Sequence, residues 1–239
     1  TIGTGAFILT EWERGTGMTL TANAGCWAGP PRSAGVRIRT VADSETQRLM
    51  YERGSLDILD LDKMGVDAEY FVHGDIYQDS LVTGHRVGID YIALNQRVKP
   101  LDDARVRKAL QLALDRETLL KAVVSGRGTV ENGIFPRGLV GYNPELPEIP
   151  YDLDEARRLL REAGLEDGFG IKIELPESSS RSRRELAALA AAMWGKIGVN
   201  ATVVIDSDET FQTRRRQGVL ACYANQWSAD YNDPDNFIS

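Results

Sequence analysis

Apolar and polar positions alternate differently on the two sides of Pro100. Upstream, the spacing is close to two residues, as expected of strands. Ala6-Phe7-Ile8-Leu9 and Met18-Thr19-Leu20-Thr21-Ala22 flank the turn-rich Glu13-Arg14-Gly15-Thr16-Gly17, which predicts a hairpin. Val36-Arg37-Ile38-Arg39-Thr40-Val41 alternates as a half-buried strand does. Between them, residues 23–31 form a Gly/Pro loop. Ser44 is the expected cap of a short helix over Glu45–Arg53 that stops at Gly54, and Leu56-Asp57-Ile58-Leu59 reads as a brief strand. Residues 60–90 carry weak signals, consistent with short strands and loops. Tyr91-Ile92-Ala93-Leu94-Asn95 is a clear strand, and Pro100 breaks any continuation.

Downstream, the period lengthens toward 3.6 and strands alternate with helices. Asp102 or Asp103 caps a long amphipathic helix with Val106, Ala109, Leu110, Ala113, Leu114 and Leu120 on one stripe, ended by Gly126 and Gly128. The Pro/Gly-rich stretch that follows, to Pro150, is roughly twenty residues long, a length at which loops are often functional. Asp152-Leu153-Asp154-Glu155 opens the next helix with a capping-box-like start, and Gly164 ends it. Strand 171–175, helix 183–196, strand 201–205, helix 211–217 and strand 219–226 then form a β-α-β-α-β run. Such crossovers require parallel strands joined with right-handed connections. The carboxyl ends of those strands share one edge, so the loops Pro176–Ser180, Asp206–Asp208 and Trp227–Asp233 converge, and ligands of open α/β sheets bind at that edge. The last loop carries Trp227, Asp230 and the Pro-braced Asp233-Pro234-Asp235-Asn236. An Asp of this loop could contact a ligand, cap a helix or form an Asx turn, and Asp233, which precedes Pro234, is expected to take one of the last two roles.

Composition narrows the chemistry. At 239 residues with 42% hydrophobic and 26% charged positions, the chain can bury a sizeable core as one large or two small domains. A net charge of −7 argues against nucleic acid or an anionic membrane as partner, and the clusters Arg181–Arg184 and Arg214–Arg216 read as solvated helix faces. Cys26 and Cys222 make neither a disulfide framework nor a CxxC motif. His73 and His85 lack a third ligand at metal spacing and are expected on exposed loops. Gly3-Thr4-Gly5 does not complete a nucleotide fingerprint, and residues 230–237 lack the Gly and distal Glu of an EF-hand. No cofactor or metal is therefore expected. A hydrolase fits poorly, because there is no Gly-x-Ser-x-Gly elbow and both histidines lie outside the parallel unit. No apolar run is long enough to span a membrane. The chain starts at Thr1 without Met and stops soon after Phe237, so it reads as a fragment.

The ordered motifs Ile2-Gly3-Thr4-Gly5-Ala6-Phe7 with Glu11-Trp12, Cys26-Trp27-Ala28-Gly29-Pro30-Pro31 and Gly54-Ser55-Leu56-Asp57-Ile58 continue into Asp102–Leu110 with Ala113-Leu114-Asp115-Arg116. Tyr151-Asp152 with Leu159-Leu160 and Ala163-Gly164 follows, and then Trp227-Ser228-Ala229-Asp230-Tyr231 with Asp233-Pro234. Together they resemble the large solute-binding proteins of ABC importers for dipeptides, oligopeptides and nickel, family 5, across nearly the whole chain. Two departures, Cys26 where an aromatic is usual and Ala6 where Pro is usual, leave the proposed ligand contacts untouched.

The resemblance implies an α/β fold of type II periplasmic-binding-protein lobes, with a mixed or parallel sheet flanked by helices. Residues 1–98 would be part of a first lobe and 99–239 most of a second, both incomplete, with the ligand taken in the cleft between lobes. It implies a non-enzymatic receptor for a peptide or peptide-like solute, monomeric, working with the membrane permease subunits of the transporter. The expected location is periplasmic, or extracytoplasmic and membrane-anchored in a Gram-positive cell. Asp230 would hold the ligand's α-ammonium, Trp227 would lie against the peptide, and Arg215 or its neighbour Arg216 could balance a ligand carboxylate. The alternatives are a ligand-sensing domain of the same fold in a transcriptional regulator, or a binder of a nickel chelate, sugar or opine. The two cysteines, assigned to different lobes, are expected to be unbonded.

Overall fold

The computed structural model describes residues 3–61, 68–84, 86–124 and 126–238. The chain divides into two compact units, Thr1–Leu81 and Val82–Ser239.

In the first unit, β1 (Phe7–Glu13), β2 (Gly17–Ala22) and β3 (Gly35–Arg39) form an antiparallel sheet in that order. The expected hairpin is present, with Thr16 N–H donating to the Glu13 carbonyl at 3.1 Å. Gly17 is required by the close approach of β3, because a Cβ there would lie 2.2 Å from the Ile38 carbonyl oxygen. β3 was expected to be half-buried, but all five of its residues are exposed. Helix α1 (Ser44–Glu52) is capped by Asp43 rather than Ser44, since the Asp43 carboxylate accepts the Thr46 N–H at 2.8 Å. No strand forms at 56–59. Where short strands were expected further on, α2 (Ala68–Val72) and a 3-10 turn (Asp75–Ser80) appear. Their aromatic side chains explain this. Phe71 packs against Tyr51 and Tyr77 at ring separations of 5.7 and 4.9 Å, an interaction between residues distant in sequence.

The second unit is built on a mixed four-stranded sheet in the order β4-β7-β5-β6, from β4 (Gly88–Leu94), β5 (Phe169–Pro176), β6 (Val199–Asp206) and β7 (Cys222–Ser228). β5 runs parallel to β6 through eight register pairs, Phe169↔Val199 to Pro176↔Asp206, and parallel to β7 at Ile173↔Cys222 and Glu174↔Tyr223. β4 pairs antiparallel with β7 from Gly88↔Ser228 to Leu94↔Cys222. That ladder places β4 in this unit, which begins at Val82.

The strand order separates the helices. The step β5 to β6 goes one way along the sheet and the step β6 to β7 returns across β5. Right-handed connections then put α6 (Arg181–Gly195) and α7 (Asp208–Arg216) on opposite faces. Side chains agree with this. Ile173 and Cys222 join Ala187, Ala190 and Trp194 of α6 in the main core, whereas their alternating neighbour Tyr223 meets Phe211 of α7 edge-on. Trp194 is 1% exposed, and its Nε1 donates to the Leu110 carbonyl at 2.9 Å.

Leu110 belongs to α3 (Ala104–Leu112), which Asp103 caps. The single long helix expected here is two helices. Asp115 accepts from Thr118 N at 3.0 Å and from its hydroxyl at 2.7 Å, and so starts α4 (Arg116–Val124) as a second cap. Asp152 caps α5 (Leu153–Glu162) through the Asp154 and Glu155 amides, as its sequence predicts.

Candidate functional site

The carboxyl ends of β5 and β6 are joined by their own loops. Glu177 N–H donates to the Asp206 carbonyl at 2.8 Å, and Ser178 donates to Asp208 Oδ1 from its amide (3.1 Å) and hydroxyl (2.7 Å). Beneath them, Arg214 reaches back along α7 to two carboxylates. Its Nη1 donates to Asp206 Oδ2 at 3.0 Å and forms an ion pair with Glu174 Oε1, a contact without aligned hydrogen-bond geometry. Glu174 is 2% exposed, so water is largely excluded from this pair on the carboxylate side. Burial works against the Arg214 cation, but the two carboxylates outweigh it and raise the guanidinium pKa. Nearby, burial pushes the Cys222 thiol up to about 12, helped by the Glu174 charge. Cys222 and Cys26 are both free.

β7 continues past its two pairs with β5, supported by β4 as far as Gly88↔Ser228, and delivers the loop that carries Trp227 and Asp230. Val87 accepts the Ala229 N–H at 2.8 Å and fixes the exit of the strand. Asn236, in the short helix α8 (Asp235–Ile238), then accepts two hydrogen bonds at one oxygen. Its Oδ1 takes the Trp227 Nε1–H and the Asp230 backbone N–H, each at 3.0 Å. The indole face stays partly open, and the Asp230 side chain points to no hydrogen-bond or ion-pair partner among the described residues. Asp233 Oδ1 accepts from Asp235 N at 2.9 Å, the Asx turn expected from its place before Pro234.

The Pro/Gly-rich loop joins this edge through Asn232. Asn232 Oδ1 accepts from Val140 N at 2.8 Å, while its Nδ2 donates to the Gly138 carbonyl at 3.1 Å. Gly141 lies beside Pro234 with φ +87°, and an added Cβ would sit 3.2 Å from Pro234 Cγ. The far part of the same loop is held by Arg116, which donates to the carbonyls of Glu131 (2.9 Å) and Ile149 (2.6 Å) and to Asn132 Oδ1 (3.2 Å).

Among the residues singled out from sequence, Trp227 and Asp230 lie together on this edge. Arg215 does not join them. It is exposed in the last turn of α7, a helix that begins at the carboxyl edge and runs away from it, and its charge is felt at Tyr223. His73 is exposed and His85 lies outside the described residues. Among the described residues, no group of three His, Cys, Asp or Glu side chains could hold a metal ion, and no helix is long and apolar enough to cross a membrane.

Asn232, Asn236 and Asp90 were not singled out. Asp90 on β4 opposes Gln226, and its surroundings raise its carboxyl pKa against the pull of Arg86 and Arg183. The two asparagines are four positions apart in one acidic loop, a spacing that places both on one turn but does not name their partners.

The whole chain, residues 1–239, matches the family described as bacterial extracellular solute-binding proteins, family 5 middle. It is 30% identical over 247 residues to heme-binding protein A of Haemophilus influenzae and 29% identical over 251 residues to the dipeptide-binding protein of Escherichia coli. It is covered completely in both comparisons and covers 44% of each relative. The chain thus spans a little under half the length of these curated relatives. Among solved structures, it superimposes with a TM-score of 0.87 and 25% identity on NikA from Brucella suis in complex with Fe(III)-EDTA, over 99% of this chain and 50% of that one. With its mixed sheet, its flanking helices and a match from first residue to last, the chain belongs to the bacterial extracellular solute-binding proteins of family 5.

Proposed function

We propose that this chain supplies one wall of the ligand site of a receptor for a bacterial ABC importer, and that the ligand is a peptide or peptide-like solute. Asp230 pairs with the ligand's α-ammonium, and Trp227 packs against the ligand backbone. The observation that carries this reading is an exposed carboxylate with no hydrogen-bond or ion-pair partner among the described residues, on a loop fixed by hydrogen bonds, beside a half-open indole face. A carboxylate held in place gains about 1.5–3 kcal/mol from a charge-assisted bond to an ammonium once a ligand shields it from water. The dipeptide-binding protein of Escherichia coli among the relatives supports the choice of ligand class. At the far end of α7, Arg215 adds positive potential for a ligand carboxylate rather than a direct contact. The receptor works outside the cytoplasm, hands its solute to membrane permease subunits, and binds without chemical change to the ligand.

The test is calorimetry on the full-length protein with the dipeptide Ala-Phe and its N-acetylated form. Asp230→Ala should weaken Ala-Phe binding roughly 10- to 100-fold, the equivalent of the bond energy above, and leave the acetylated peptide within about twofold. Equal losses for both peptides would remove Asp230 from the anchor role. The high structural similarity to NikA in complex with Fe(III)-EDTA gives a second reading, a metal chelate as cargo. Tight binding of Fe(III)-EDTA that is indifferent to Asp230→Ala, with no binding of Ala-Phe, would favour it.

A further inference from the structure

We infer that Asn236 is a positioning residue for ligand recognition. It locks Trp227 and Asp230 into one geometry before any ligand arrives, an inference that rests on the reading of those two residues as the ligand contacts.

A carboxamide oxygen has two lone pairs, and Asn236 Oδ1 uses both, for the indole N–H of Trp227 and the backbone N–H of Asp230 at 3.0 Å each. One acceptor therefore couples a side-chain orientation to a backbone position. Rotation of the indole or displacement of the Asp230 backbone breaks a bond to a residue only 9% exposed, where water is a poor replacement.

Asn236 is itself held. Its own N–H donates to the Asp233 carbonyl at 3.1 Å, and the Asp233 carboxylate caps the turn through Asp235 N at 2.9 Å. The acids of this loop thus divide by role. Asp233 builds the turn, the turn aims Asn236, and Asn236 sets the spacing between the indole of Trp227 and the exposed Asp230.

Recognition of a charged group by a single carboxylate is sensitive to that spacing, and a contact ordered in advance costs less entropy at binding. Without Asn236 the carboxylate and the indole remain, but their mutual geometry is free. The expected loss is therefore in discrimination between an ammonium and a blocked amine, with both functional groups still in the chain.

The test uses the full-length protein, again with Ala-Phe and N-acetyl-Ala-Phe. Asn236→Ala should weaken Ala-Phe binding about tenfold and the acetylated peptide by less than threefold. Asn236→Asp keeps an oxygen in the same place and should recover most of the lost discrimination, which also separates positioning from a general loss of folding. An independent readout is the Trp227 indole N–H resonance in 15N-labelled protein, assigned with Trp227→Phe. Its hydrogen exchange should accelerate at least tenfold in Asn236→Ala and remain slow in Asn236→Asp.

Unchanged discrimination in Asn236→Ala alongside a clear Asp230→Ala effect would overturn the inference and leave the anchor reading intact. A silent Asp230→Ala would remove the anchor reading and the recognition role with it. Trp227 exchange unaffected by Asn236→Ala would show that the clamp itself is absent.

Discussion

Replacing Arg214 with Met is the sharpest perturbation of the scaffold behind the ligand edge. The methionine keeps most of the aliphatic packing and removes the charge. What remains is Glu174, 2% exposed, with its Oε1 contact gone, and Asp206 without its 3.0 Å bond. Removing one partner of a buried ion pair costs about 3–5 kcal/mol. Arg214 is 35% exposed and Asp206 21%, so water shares the site, and a discounted loss of about 2–3 kcal/mol is the expectation.

Glu174→Gln removes the buried charge and should cost only about 1 kcal/mol. The double variant should then be no less stable than Arg214→Met alone, a coupling of at least about 1 kcal/mol in a double-mutant cycle. The assay is urea denaturation of the full-length protein, reading the midpoint at unchanged slope. Additive single effects, or an Arg214→Met loss below about 0.5 kcal/mol, would refute the claim that Arg214 neutralises Glu174 and ties the ends of β5 and β6 together.

Two further expectations follow from hydrogen bonds at and behind the edge. Trp194→Phe removes the indole donor and leaves the Leu110 carbonyl without it, so the same denaturation assay should show a loss of about 2–3 kcal/mol from the unmet bond and the smaller ring; a loss below about 0.5 kcal/mol would contradict it. Asn232→Ala removes both bonds to the Pro/Gly-rich loop, and the Val140 amide should exchange with solvent at least tenfold faster at a global stability change below about 2 kcal/mol; unchanged exchange would mean the loop is held elsewhere.

The parts of this fold that were legible in the sequence are those decided within a few residues. Asp152 caps α5 because an extended Asp followed by free amides at Asp154 and Glu155 needs nothing else. Gly198, at φ +84°, turns the chain from α6 into β6 for a similarly local reason. Convergence of the loops after β5 and β6 also followed from local alternation plus the handedness of crossovers, and the bonds from Glu177 and Ser178 realise it.

Sequence reading failed where a competing local preference or a distant partner decided the outcome. Asp115 interrupts an unbroken apolar stripe because its carboxylate prefers the Thr118 amide and hydroxyl to solvent, and periodicity does not register that preference. Helical turns form at Ala68–Val72 and Asp75–Ser80, where Phe71 and Tyr77 pack on Tyr51, and β7 lies between β4 and β5 because its backbone pairs antiparallel with the first and parallel with the second.

The candidate site divides along the same line. Trp227 and the acids of its loop could be picked out as an aromatic and carboxylates after a strand, and the family resemblance is what singles out Asp230 among them. Asn236 could not, because an asparagine in an acidic turn has many uses and only the folded loop shows which two N–H groups its oxygen meets. Arg215 illustrates the converse: its charge suggested a ligand partner, but it lies exposed in the last turn of α7, where its neighbour Arg214 is the one that reaches back to Glu174 and Asp206. In a sheet-edge site, residue type therefore selects the candidates, and the direction of each element decides which of them can meet the same ligand.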